Sequence, residues 1–168
     1  MSVELLKERA EELPVKTGIN RKDRKMLSEL MGRVLASSYV LYHKTHAFHW
    51  NITGPMFYSV HKLTEEQYKD LAAANDDLAE RIRAIGFTTP TGLTRYINES
   101  IVEDVVDMPN AGNMIQQLAQ DHQAVATQLR DAVKEAEKVD DVYTADLLTA
   151  RIGAHEEAAW MLNALSVQ

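Results

Sequence analysis

The chain of 168 residues carries 18 Lys and Arg against 25 Asp and Glu, a formal net charge of −7 at pH 7. This negative charge argues against a general nucleic-acid binder, whose binding surface is usually basic. The sequence has no Cys, which excludes disulfides and thiolate metal sites. No apolar run approaches the roughly 20 residues that a membrane-spanning helix needs, and the first residues lack the apolar core of a signal peptide. We therefore expect one cytoplasmic domain with a sizeable core and no membrane association.

The first part of the chain predicts an extension followed by a long helix. Residues 1–19 are predicted to be partly flexible or to form a short helix over 2–13, because Pro14 and Gly18 interrupt helical backbone. Asn20 followed by an acidic residue at Asp23 is close to a capping box and predicts a helix start. Apolar residues at helical spacing continue from there to His49.

The rest of the chain predicts three more long helices. The second helix is expected to begin near Phe57 and to end at Gly86, a plausible glycine after a helix C-terminus. The stretch that follows is too long for a hairpin and is predicted to hold a short helix at Tyr96–Val106. Asp107 or Asn110 opens the third helix, and a polar turn precedes the last one. The sequence therefore predicts an all-α four-helix bundle with a short extra helix in the long crossover between the second and third helices.

The second predicted helix has two contrasting faces. At about 100° per residue, one stripe is apolar and is expected to face the chain's own core. His61, Glu65, Asp76 and Glu80 fall together nearly opposite that stripe. Each of the two pairs has i,i+4 spacing, so each can present two ligands to one metal ion.

The two pairs cannot serve one ion within one chain, because they lie roughly 16–22 Å apart at about 1.5 Å rise per residue. A second copy of the helix, antiparallel across a two-fold axis near Asp70 and Leu71, brings the first pair of one chain to the second pair of the other. A solvated acidic face is an equally good interpretation of these four residues alone.

Several spaced motifs resemble those of the Dps family, the ferritin-like miniature cages named for DNA protection in starved cells. The sequence contains HWN-x-x-G-x-x-F-x-x-x-H from His49 to His61 and D-x-x-A-E-R from Asp76 to Arg81. The likeness continues at Thr144–Arg151 and at His155–Leu162, and it covers the chain from about residue 20 onward. The resemblance implies a single ferritin-like domain over residues 20–168.

The resemblance also implies a catalytic metal site and its residues. The ligands correspond to His49, His61 and Glu65 of one subunit and to Asp76 and Glu80 of its two-fold mate. Glu65 departs from the family pattern, since many members have Asp there, and its longer arm keeps the charge but can alter geometry or affinity. In the family, the Trp that corresponds to Trp50 serves electron transfer or radical capture beside the site, although packing at the subunit interface is the simpler role.

The implied function is a ferroxidase. Members of the family oxidise Fe(II), preferably with hydrogen peroxide and also with O₂, and store ferric mineral in a twelve-subunit shell, which protects against oxidative damage. The same His and carboxylate ligands suit other divalent metals such as zinc. A DNA-coating protein of the nucleoid and a metal-binding cage without turnover remain the alternatives. We expect weak or absent DNA binding, because Lys and Arg near the N-terminus alternate with Glu.

Other polar and aromatic residues receive structural or secondary roles. The Glu-x-x-His motif of an intrasubunit di-iron site and the zinc-protease motif are both absent from the sequence. His43, His122 and His155 are interpreted as structural, His46 as a packing or supporting group, and Trp160 as a core residue of the last helix.

Acidic residues of the third helix, such as Asp121 and Asp131, are candidates for drawing cations through pores.

Overall fold

The computed structural model describes residues 12–166, and all regular secondary structure in that range is helical. Four long helices and one short one confirm the predicted all-α bundle with an extra helix in the crossover. None of these helices combines the length and apolar character needed to cross a bilayer. The helices are α1 at Arg21–Asn51, α2 at Phe57–Ala84, α3 at Leu93–Glu99, α4 at Ala111–Lys138 and α5 at Val142–Ser166.

Side-chain caps explain where α1 and α4 begin. The Asn20 side chain accepts a hydrogen bond from the backbone N–H of Asp23 at 3.0 Å, as its position before α1 predicted. Of the two candidates for opening α4, Asn110 is the cap, and its side chain accepts from the N–H of Asn113 at 3.0 Å. Each cap satisfies a donor that the first helical turn would otherwise leave unpaired.

Gly86 ends α2 in the way that the sequence predicted. Its φ of +103° lies in the left-handed region. The N–H of Gly86 bonds to the carbonyl of Arg83, and that of Phe87 bonds to the carbonyl of Ile82, which is the Schellman arrangement. The Gly86 carbonyl in turn accepts the N–H of Leu13 at 2.8 Å. The end of α2 therefore also holds the segment that leads into α1.

The predicted N-terminal helix at 2–13 falls almost entirely outside the described residues. The part that is described, from Glu12 onward, is not helical up to Asn20. The hydrogen bond between Leu13 and Gly86 accounts for this, because it ties the backbone to another element. The predicted boundary between an N-terminal extension, residues 1–19, and the domain, residues 20–168, stays a prediction.

The short helix of the crossover begins three residues earlier than predicted and ends at Glu99, so the expected span Tyr96–Val106 was wrong at its C-terminal end. The Ser100 hydroxyl accepts from the N–H of Val102 and donates to its carbonyl. The N–H of Ile101 donates to the Ser37 hydroxyl of α1 at 3.1 Å. These bonds compete with helical ones and stop α3.

The bundle consists of two helix pairs joined through α1 and α4. Helix α1 packs along α2, α4 packs along α5, and α1 contacts both α4 and α3, whereas α2 and α5 touch sparingly. The apolar stripe predicted for α2 does face the core. The largest fully buried side chains are Leu27, Met31, Leu35, Leu41, Phe48, Ile52, Leu71, Leu78, Ile82, Ile85, Ile115 and Leu118.

A buried ion pair joins the last turn of α2 to the residue that precedes α5. Arg81 of α2 donates to both carboxylate oxygens of Asp141, at 2.7 and 2.9 Å, and also to the hydroxyl of Thr144. Asp141 is 2% exposed and accepts the N–H of Thr144, so it caps α5 as well. Burial alone would raise the pKa of Asp141, but the hydrogen bonds from Thr144 and Arg81 outweigh burial and hold that pKa below its ordinary value.

Candidate metal centre

His49 and His61 face each other across the turn between α1 and α2. His49 lies in the last turn of α1, His61 lies near the start of α2, and their rings stack with centroids 3.8 Å apart. The Nδ1 atom of His49 is 2.8 Å from the His61 carbonyl oxygen, and the Nδ1 atom of His61 is 2.9 Å from the His49 carbonyl oxygen. Two hydrogen bonds thus lock the rings to each other's backbone.

This bonding assigns the tautomer of both rings. A carbonyl oxygen only accepts, so each Nδ1 carries the proton, and each Nε2 of the neutral ring keeps a free lone pair. Neutral imidazole nitrogen is a common ligand for divalent transition metals, and a hydrogen bond through the other nitrogen fixes its orientation. His49 and His61 can therefore present a pair of nitrogen lone pairs to a metal ion.

The two histidines are buried to different extents, which leaves one side of the pair open to solvent. His49 is 7% exposed, and the Thr64 hydroxyl lies 3.4 Å from its Nδ1. His61 is only half-buried, with the Phe57 ring stacked on it at 5.0 Å. A metal ion can therefore approach from the surface of the subunit.

The carboxylate of Glu65, the third predicted ligand, is engaged elsewhere. Lys62 donates to one of its oxygens at 2.9 Å, and Lys69 donates to the other at 2.7 Å. Hydrogen bonding from Lys69 and then from Lys62 lowers the pKa of Glu65 to about 2. The carboxylate is therefore fully ionised at neutral pH, but both of its oxygens are already bound.

The two remaining predicted ligands stay apart from the histidines within one chain. Asp76 and Glu80 are exposed on α2, further along the helix. Across residues 12–166, no three His or acidic side chains stand close enough together to hold a metal ion. Of the five predicted ligands, the described part of one subunit brings together His49 and His61, and the five-residue ligand set stays a prediction.

Aromatic rings surround the histidine pair. Trp50 is 61% exposed, and its ring centroid lies 4.0 Å from that of His46. The His46 ring stacks on Tyr68 at 4.0 Å, and Tyr68 meets His49 edge-on at 5.2 Å. Burial, and then the neighbouring His49 and His43, lower the pKa of His46. Sequence reasoning missed Tyr68, although its place one turn after Glu65 on α2 was a usable signal.

A second histidine pair lies deep in the bundle, away from the candidate site. His122 and His155 are each 2% exposed, and their Nδ1 atoms are 2.9 Å apart. Burial, and then the charge of Arg151, lower the pKa of His122 to about 4. Burial and the adjacent His122 also lower the pKa of His155. His43, by contrast, is exposed on α1.

The structure corrects the predicted place of Trp160 and shows the partners of the two acidic residues of α4. Trp160 was predicted in the core but is 66% exposed, because Ala159 and Leu162 occupy the inward positions of that turn. Asp121 is ion-paired with the buried Lys44 at 2.7 Å, and Asp131 pairs with Lys134 at 2.9 Å. Their charges are therefore already compensated within the subunit.

Comparison with known proteins agrees with the fold and the motifs. The model of the ferritin-like domain family matches residues 28–168. DNA protection during starvation protein 2 of Bacillus anthracis is 32% identical over 140 residues, which is 83% of this chain and 96% of that protein.

Solved structures give the same result. The crystal structure of a Dps protein from Bacillus brevis has a TM-score of 0.83 and 31% identity, covering 88% of this chain and 99% of that one. A second structure is a Dps protein from Vibrio cholerae O1, described as a member of a broad superfamily of ferritin-like diiron-carboxylate proteins. It has a TM-score of 0.83 and 27% identity, covering 90% of this chain and 99% of that one. The ferritin-like bundle is thus confirmed, and the chain belongs to the Dps family.

Proposed function

We propose that this protein is a mini-ferritin that oxidises Fe(II) at sites shared between two subunits. In this proposal His49, His61 and Glu65 of one subunit and Asp76 and Glu80 of the partner subunit bind the iron. The observation that carries the proposal is the locked histidine pair, which no third His or acidic side chain of residues 12–166 joins in a ready-made metal cluster. The description of the Vibrio cholerae relative as a diiron-carboxylate protein supports iron as the substrate.

The geometry of α2 supports sharing across a two-fold axis. Asp76 and Glu80 are exposed, on the part of α2 beyond Asp70. An antiparallel copy of α2 brings this carboxylate pair to the histidines of the other chain and forms two equivalent sites. The many exposed apolar side chains also suit burial in an assembly, for which we propose the twelve-subunit cage of the family. They include Trp50, Phe57, Tyr58, Leu93, Ile97, Val106, Met108, Val142, Tyr143 and Trp160.

The ligand chemistry suits iron oxidation. Two neutral imidazoles bind Fe(II), and the carboxylates compensate the charge that each ion gains on oxidation. With hydrogen peroxide as the preferred oxidant, two Fe(II), one H₂O₂ and two protons give two Fe(III) and two H₂O. This consumes both reagents that generate hydroxyl radicals, and the ferric product is stored as mineral in the cage. O₂ serves as a second oxidant, and zinc competes for the same ligands.

DNA binding is a second candidate function, because the Bacillus anthracis relative is named for DNA protection. The basic cluster at residues 21–25 is largely engaged within the subunit. Arg21 pairs with Glu12 at 2.5 Å, Arg24 is buried and donates to a backbone carbonyl, and Lys25 lies 3.8 Å from Glu29. We therefore propose weak or absent DNA binding and a cytoplasmic location, either free or beside the nucleoid. A tight, salt-sensitive gel shift would contradict this.

The decisive experiment combines Fe(II) oxidation with subunit exchange. Apo-protein is loaded with Fe(II) without oxygen and mixed with peroxide, for the wild type and for the His61→Ala and Asp76→Ala variants. Both variants should lose fast oxidation, and Asp77→Ala, an exposed neighbour, should not. After the two inactive variants exchange subunits, mixed dimers hold one intact site and should regain part of the activity.

The other outcomes are equally clear. If both variants oxidise iron as fast as the wild type, the polar face of α2 that carries His61, Glu65, Asp76 and Glu80 is only a solvated surface. If metal binds with the predicted residue dependence but no oxidation follows, the protein is a metal-binding cage without turnover.

A further inference from the structure

Glu65 is held by two lysines, one on each side of it along α2. Lys62 lies three positions before Glu65 and Lys69 four positions after, and each ammonium group binds a different carboxylate oxygen. Among the ion pairs of residues 12–166, Glu65 is the only carboxylate that two lysines share. We call this three-residue arrangement the lysine clamp.

The lysine clamp engages Glu65, the third ligand that the proposed site takes from the same subunit as the two histidines. His49 and His61 present their nitrogens from fixed positions, whereas both Glu65 oxygens already accept hydrogen bonds. A metal ion at Glu65 therefore competes with two ammonium groups for the same carboxylate oxygens. The two ammonium groups also repel a divalent cation that arrives at the adjacent histidines.

We infer that Lys62 and Lys69 are positioning residues that weaken divalent-cation binding at this site by holding Glu65 away from it. This inference rests on the proposed function, since it needs Glu65 to be a ligand. In the metal-free protein the clamp compensates the Glu65 charge. On metal loading the cation replaces the ammonium groups, and the lysines turn toward solvent, where their side chains are already 53% and 62% exposed.

The clamp also gives the ligands an order. The locked histidines offer the first two contacts to an incoming cation, and Glu65 joins in competition with the two lysines. The cost of displacement is small, because exposed ion pairs contribute little to stability. The clamp therefore tunes the affinity without preventing occupancy.

The test measures Co(II) binding to the full-length assembled protein, because Co(II) reports on His and carboxylate ligation without being oxidised by air. Replacing both lysines with Gln (Lys62→Gln and Lys69→Gln) should tighten Co(II) binding by about threefold or more. Replacing both with Arg keeps the charge and the donors and should restore wild-type affinity. Lys134→Gln, which breaks an ordinary surface pair with Asp131, should change nothing.

A His49→Ala variant separates this inference from the proposed site. If His49→Ala abolishes Co(II) binding but the double Gln variant binds as the wild type does or more weakly, the lysine clamp is refuted and the site stands. If His49→Ala binds Co(II) unchanged, the site itself is refuted, and the clamp with it. Tighter binding in the double Gln variant, reversed in the double Arg variant, supports both.

Discussion

The side chains of His49 and His61 each bond to the backbone carbonyl of the other, at 2.8 and 2.9 Å, while their rings lie 3.8 Å apart. Neither ring can turn without breaking a hydrogen bond that joins α1 to α2. The same two bonds that orient the Nε2 atoms therefore also join the two helices of the hairpin.

The first prediction is that the two histidines differ in their effect on stability but not on metal binding. His49→Ala removes a buried ring and should lower the free energy of unfolding by about 2 kcal/mol. His61→Ala removes a half-buried ring and should cost about half as much. Both should lose Co(II) binding, whereas His43→Ala, on the exposed side of α1, should change neither property. Denaturant unfolding of metal-free protein and Co(II) titration measure the two effects, and equal stability losses would contradict the assigned burial.

A second prediction concerns the buried pair of Arg81 and Asp141. Asp141→Ala leaves the Arg81 guanidinium without its partner and removes the cap of α5, so stability should fall by about 3 kcal/mol or more. The matched variant Asp131→Ala breaks an exposed pair and should cost less than about 1 kcal/mol. Chemical denaturation at neutral pH measures both. Similar losses for the two variants would show that Asp141 is not buried as described.

Acid sensitivity should arise from the buried pair of His122 and His155. Both side chains have pKa values in the folded protein below the ordinary 6.5, that of His122 at about 4. The unfolded chain therefore binds more protons between about pH 6.5 and 4, and stability is lost as the pH falls through that range. For His122 alone the loss is about 3 kcal/mol at most.

Thermal unfolding at a series of pH values tests this dependence. The charged groups around the pair are Arg151, which disfavours protonation, and Asp70, which favours protonation of His122. Replacing both histidines with Leu should flatten the loss of stability between pH 6.5 and 4. His43→Leu should leave that loss as it is in the wild type, because His43 is exposed. An unchanged slope in the double variant would mean that other groups cause the acid sensitivity.

The fourth prediction compares two glycines with similar backbone angles. Gly86 has a φ of +103° and Gly54 has a φ of +91°, so Ala is strained at both. A Cβ at Gly86 would also lie 2.8 Å from the Leu13 carbonyl oxygen, whereas a Cβ at Gly54 meets no atom within 4 Å. Gly54→Ala should cost about 1 kcal/mol, and Gly86→Ala should cost at least about 1 kcal/mol more. Equal losses of stability would refute a role of this steric contact.

Most of the fold could be predicted from the sequence because the helices carry their own boundaries. Asn20, Asn110 and Gly86 mark the ends at which backbone groups need a partner or a left-handed angle. Helix α3 was placed wrongly because the hydrogen bonds that end it include one from Ile101 to the Ser37 hydroxyl of α1, which is distant in the sequence. Trp160 was misplaced because apolar character was taken as burial, although large aromatic residues also lie at surfaces that assembly covers.

The candidate site was only partly visible in the sequence. The i,i+4 spacing of His61 and Glu65 indicated a possible metal site, and the family resemblance added His49. The exchange of hydrogen bonds between the two histidines depends on how two helices meet and could not be predicted. The clamp on Glu65 was readable, since lysines three before and four after a Glu on a helix lie within reach of it. The contribution of Asp76 and Glu80 stays a prediction, because a second subunit would have to supply it.

The turn between α1 and α2 also has a consequence for the order in which the protein forms. His49 and His61 are separated by 12 residues along the chain. A loop of about ten residues closes within about 10–100 ns. Contacts with helices beyond the long crossover need far more of the chain and form later. During synthesis the histidines can therefore meet while α4 and α5 are still unmade. The histidine pair is therefore a property of the nascent hairpin, whereas the proposed shared site can form only later, when two finished chains meet.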